Sequence, residues 1–130
     1  MDELYNSFEL TIAGRQVFLP RSLEMARRVE NAVGAIDPFA RRLEKGIVTT
    51  SELARFYGAL VRGLSDPPAA KAIDAWIFER GVYGHAPAAM FAMSLIMSSE
   101  LFQREAARLQ ASVTEAEKRN ARGPFAPTGA

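Results

Sequence analysis

The chain has 130 residues, of which 48% are apolar and 24% charged, the balance of one ordinary globular domain large enough to bury a core unaided. It has no cysteine, which excludes disulfide frameworks, thiolate metal sites and thiol nucleophiles. Sixteen basic residues against fifteen acidic ones leave a net charge of +1, without the basic excess that phosphate binding draws on.

The opening "MDELYNSFEL" is acidic and lacks the apolar segment of a signal peptide. The longest apolar run, Ala86 to Met97, is too short to cross a bilayer, so a cytoplasmic location is expected. "FELTIAGRQVFLP" (Phe8 to Pro20) is the one stretch that reads as β-structure. Phe8, Leu10 and Ile12 alternate with Glu9 and Thr11, Ala13 to Arg15 is a turn, and Val17 and Leu19 lie on the return strand. An isolated hairpin is marginal in water, so it either lids the helices or pairs with another chain. With no third strand predicted, Leu10, Ile12, Val17 and Leu19 mark a candidate docking edge.

The rest reads as about five helices, the last one long. Ser22 caps a helix to Val33 with a stripe of Leu23, Ala26, Val29 and Val33, closed by Gly34. Asp37-Pro38 opens a short helix to Lys45, and "TTSE" (Thr49 to Glu52) is a capping box for a helix closed by Gly63. Leu53, Phe56, Tyr57, Leu60 and Val61 form that helix's stripe. "SDPP" from Ser65 starts a fourth helix to Arg80, with Ile73, Trp76 and Ile77 inward. "GVYGH" (Gly81 to His85) reads as a loop, and Pro87 opens a last helix to about Arg119, kinked near Ser98-Ser99. Residues 1–103 form the hairpin and helical domain, 104–120 extend the last helix, and 121–130 are a disordered tail.

No catalytic constellation emerges, and no cofactor is expected. His85, the single histidine, has no nucleophile or orienting carboxylate at a recognisable spacing, and a second metal ligand is wanting. "SELA" within Thr49–Gly63 suits the first helix of a helix-turn-helix. The following "SDPPAAKAIDAWIFER", however, is too acidic and apolar for a recognition helix, so a DNA-binding regulator is the weakest alternative.

The last helix carries the strongest binding signal. Met90, Met93 and Met97 recur at helical spacing with Phe91 and Leu101, which suits either a buried core helix or an adaptable apolar surface for partner helices. Beyond them Phe102, Ala106, Leu109, Val113 and Ala116 form a narrow seam at spacings of four and three, fit for docking on another helix or for self-association. Met90, Phe91, Met93, Met97, Leu101, Phe102, Leu109 and Val113 are therefore the candidate partner-binding residues.

The order of parts, with "ELTIAG", "VENAVGA", "ELARFYGALVRG", "FERGVYG" and "APAAMFAMSLIMSSELF", resembles the tail assembly chaperone family of tailed phages and gene transfer agents over residues 7 to 103. The resemblance implies a non-enzymatic protein of the bacterial host cytoplasm that binds the tape-measure protein and tail-tube protein, with neither nucleic acid nor membrane as partner. A minor structural component of the tail is the alternative it leaves open. The charged stretch after Arg104 departs from the family's pattern.

Overall fold

The computed structural model describes residues 7–122; of the tail expected over 121–130, residues 121 and 122 end a helix instead, and the remainder lies outside the described residues. Strands β1 (Ser7–Ile12) and β2 (Arg15–Pro20) pair antiparallel with Ile12 opposite Arg15 and Phe8 opposite Leu19. The turn is thus two residues, not the three expected. Ala13 and Gly14 both take positive φ, 53° and 79°, the backbone that matches the twist of the flanking strands. Phe8, Leu10, Ile12, Val17 and Leu19 all point inward and are buried, so one face of the hairpin roofs the helices.

Among the described residues six helices follow where about five were expected: α1 (Leu23–Val33), α2 (Ile36–Glu44), α3 (Thr50–Val61), α4 (Ala70–Arg80), α5 (Val82–Met97) and α6 (Ser99–Arg122). Ser22 caps α1 by accepting from the Met25 N–H at 3.0 Å. The α1 stripe is shifted from the expected one: Met25 and Val29 are buried, and Leu23 is 66% exposed. The capping box forms as predicted, Thr49 Oγ1 accepting from the Glu52 N–H while the Glu52 carboxylate accepts from the Thr49 N–H. The predicted stripe of α3, Leu53, Phe56, Tyr57, Leu60 and Val61, is buried throughout.

Four boundaries differ from the sequence pattern. Helix α2 begins at Ile36, ahead of the expected Asp37 cap, with Ala35 in the capping position, no side-chain hydrogen bond there, and Asp37 inside the first turn. Helix α4 begins at Ala70 and not at the Ser65-Asp66 cap, because consecutive prolines hold the residues before them extended and Pro68 is buried. Asp66 instead meets the hairpin tip, where Arg15 donates to its carbonyl at 2.7 Å and pairs with its carboxylate at 3.5 Å.

"GVYGH" is helical from Val82. Gly81 alone takes the left-handed φ of 80°, ending α4 and starting α5 at one residue, so Pro87 lies inside α5 instead of opening it. Gly84 is there for closeness, since a Cβ on it would stand 2.4 Å from Cγ of Arg80. The expected kink is a full break. Ser98 is extended (φ −117°, ψ 109°), donates its N–H to the Ser94 carbonyl, and accepts the Leu101 N–H on its hydroxyl.

Helix α3 packs between α1 and α4, α5 lies across α2 and α4, and α6 leans on α5 and β1. Phe8 of β1 meets Phe102 of α6 edge-on at 6.4 Å between ring centres. That contact joins the two ends of the domain over the core.

Candidate binding surface

A helix apolar all round, as α5 nearly is, gives no periodic hint of which face the core will take. The structure divides the predicted row. Met93 is 2% exposed and Phe102 is 7% exposed, so their apolar surface lies within the chain's own core, and Met90 is half-buried against it. Phe91, Met97 and Leu101 remain in solvent, Met97 most of all at 60%. They stand on either side of the Ser98 break, where α5 turns into α6. The side chains of Leu109 and Val113 lie outside the described part of the structure.

The hairpin residues Leu10, Ile12, Val17 and Leu19 are core side chains, which corrects any picture of them as exposed contacts. The sheet has two strands among the described residues, so each has one edge without a strand partner. Phe18, on the outer face of β2, is half-exposed beside that edge.

A second apolar group escaped the sequence pattern. Ile47, Phe78 and Tyr83 are 62%, 85% and 73% exposed. Phe78 lines a shallow cleft of about 360 Å³ between α3 and α4 with Thr50, Ser51 and Asp74. Its signal was legible, since Phe78 sits four residues after Asp74, on the flank of α4 beside the Ile73–Ile77 stripe. The Tyr83 ring covers Gly46, where a Cβ would fall 2.4 Å from the Tyr83 Cζ.

His85 is not a loop residue but a wholly buried one. Its Nε2 lies 3.4 Å from the Trp76 carbonyl, which can only accept, so Nε2 carries the proton. Nδ1 therefore accepts from the Tyr57 hydroxyl at 3.1 Å. The Trp76 and Tyr57 rings flank the imidazole at 4.3 and 5.4 Å. Burial pushes the His85 pKa below its ordinary value, the Trp76 carbonyl opposes that, and the nearby Arg80 cation adds to it; burial also raises the Tyr57 hydroxyl. This is a satisfied polar bridge inside the core, with no opening for a substrate to reach the imidazole.

The charged groups that shape the surface are arginines. Arg42 pairs with Glu52 at 2.8 Å, and that bond, with the Thr49 N–H, holds the Glu52 carboxyl below the usual range. Arg28 of α1 donates Nε–H to the Ala59 carbonyl of α3 at 3.1 Å, and Arg55 of α3 donates Nε–H to the Ala32 carbonyl of α1 at 3.3 Å. Both carbonyls belong to the last turns of their helices, where no intrahelical N–H follows to bond them. Among the described residues no acidic or histidine cluster could hold a metal, and no helix is long and apolar enough to cross a membrane.

No protein-family model and no curated protein matches the sequence, and no solved structure matches the fold.

Proposed function

We propose that this protein is a tail assembly chaperone that binds an apolar helical client, the tape-measure protein, and delivers tail-tube protein during assembly of a phage-like tail in the host cytoplasm. The observation that carries the reading is the exposure of Phe91, Met97 and Leu101 about the α5–α6 break. Large apolar side chains held in solvent about a helical corner suit a helix-in-groove contact, and methionine adapts to varied client surfaces. The sequence resemblance supplies the identity of the client. No catalytic step or cofactor enters.

Co-expression with a tape-measure segment tests it. The wild-type chain should keep the client soluble, and a Phe91→Ser, Met97→Ser, Leu101→Ser variant should lose that effect with its own helical signal unchanged, because all three side chains are exposed. A client equally soluble with the variant, or insoluble with both, overturns the reading.

The open hairpin edges and the exposed Phe18 favour a second reading, a minor structural part of the tail that assembles by strand pairing. Mass spectrometry of purified particles separates the two. A structural part is present in stoichiometric amount, and a chaperone is absent.

A further inference from the structure

Between α1 and α3 lies a cleft of about 370 Å³ whose charged lining is Arg28, Arg55 and Arg62, with Asn31 beside them and no acidic residue. Three like charges around one hollow repel one another, so the arrangement favours an anion. Two of the three are held in place. Arg28 and Arg55 are each fixed through Nε by a carbonyl of the opposite helix. Arg62 makes no ion pair or hydrogen bond among the described residues.

The floor of the cleft gives a second, independent observation. Gly58 lies in the interior of α3, where glycine weakens a helix relative to alanine. The fold does not require it: its φ is ordinary, and a Cβ built on it meets nothing within 4 Å. Helix packing therefore leaves that space unused, and the space opens on the three arginines. A glycine of this kind allows a ligand to approach the helix backbone closely.

We infer that the α1–α3 cleft receives a carboxylate side chain from an acidic segment of a partner polypeptide. Guanidinium groups match carboxylate oxygens in pairs, and Arg28 already meets one carboxylate, that of Glu24 at 3.4 Å. The same Glu24, with its side chain 84% exposed at the edge of the site, repels an extended polyanion. The cleft holds one short acidic group and does not track a phosphate backbone. The inference rests on the protein-binding reading only for who the partner is. The test uses no tape-measure segment, so its failure is distinct from failure of client capture.

The probe is an acetylated, amidated Ser-Ser-Glu-Ser-Ser peptide, which offers a single carboxylate side chain, titrated into the full chain at low salt and followed by amide NMR. Saturable shifts centred on Asn31, Ala32, Gly58 and Ala59 are expected. Arg62→Gln should weaken binding by about tenfold, the loss of one charge-assisted pair. Arg119→Gln, which removes the same charge far along α6, should leave affinity unchanged. Gly58→Leu should fill the cleft and abolish the shifts while the spectrum stays that of a folded chain. Shifts absent from the cleft, or equal in the Arg62→Gln and Arg119→Gln variants, overturn the inference. Tighter binding of inorganic phosphate or a short DNA duplex at the same amides overturns it in favour of a phosphate ligand.

Discussion

Arg28 and Arg55 each close the C-terminal end of the helix on which the other sits. The antiparallel crossing of α1 and α3 places the middle of each helix beside the last turn of its neighbour, and one arginine from each middle bonds the exposed carbonyl there. The guanidinium charge also meets the negative end of the helix dipole. Replacing either arginine by methionine should lower stability by about 1 kcal/mol, the net worth of one such bond. The double variant should lose more than the two single losses combined, because either single variant already relieves the repulsion between the two cations across the cleft and the double relieves it only once. Urea unfolding of the four proteins measures this, and strict additivity would refute the coupling.

His85 sets a pH limit on the fold. Its folded pKa lies below the ordinary 6.5, so the unfolded chain binds the proton more tightly. The stability this group contributes is complete above 6.5 and is lost as pH falls through the folded value. Glu52 has the same sign in a lower window. Its folded pKa is depressed, so its contribution is present above the ordinary 4.5 and lost in more acid solution. Because the chain has a single histidine, one imidazole resonance reports the first event without assignment. A midpoint at or above 6.5 in the folded protein contradicts the buried bridge.

Tyr57→Phe removes the donor to Nδ1 and leaves a buried imidazole nitrogen unsatisfied, which costs about 1–3 kcal/mol. The variant should also release the tautomer constraint, so its nitrogen chemical shifts should move toward a mixture. Unchanged shifts would mean that the Trp76 carbonyl alone fixes the ring.

Two glycines should respond oppositely to alanine. Gly46→Ala places a Cβ against the Tyr83 ring at a φ of 72° and should destabilise by more than about 1 kcal/mol. Gly58→Ala should stabilise by about 0.5–1 kcal/mol, since the site is helical and open. Thermal melts of both proteins decide the matter, and a Gly58→Ala loss would show that the fold itself needs the glycine.

At the hairpin tip, Ala13 occupies a left-handed position that glycine or asparagine takes with less strain. Ala13→Asn, which creates an Asn-Gly turn, should raise stability by about 0.5–1 kcal/mol, read as a shift in the urea midpoint. No gain would mean that the Arg15–Asp66 contact already dictates the turn.

These contrasts show which parts of the fold were legible. The hairpin was, because its alternation of period two ends at Gly14. So was the start of α3, since Thr49 and Glu52 lie at the one spacing a capping box accepts. "GVYGH" misled because two glycines read as breakers, when only Gly81 needs its φ and Gly84 needs room for Arg80. Met93 and Met97 look alike in sequence, and the way α5 lies against its neighbours decides that one is core and the other surface. The arginine cleft was illegible for a similar reason. Arg28, Arg55 and Arg62 are scattered along polar faces, and the crossing of α1 and α3 gathers two of them with the third.

The edge-on contact of Phe8 with Phe102 has a consequence for synthesis. The ribosome makes the first strand long before the helix that covers it, so the hairpin's apolar face must wait through most of translation. A nascent chain stalled before α6 should therefore bind trigger-type chaperones through its N-terminal strands, and release should coincide with the emergence of Phe102. The protein proposed to shelter another chain passes through a stage in which it needs shelter itself.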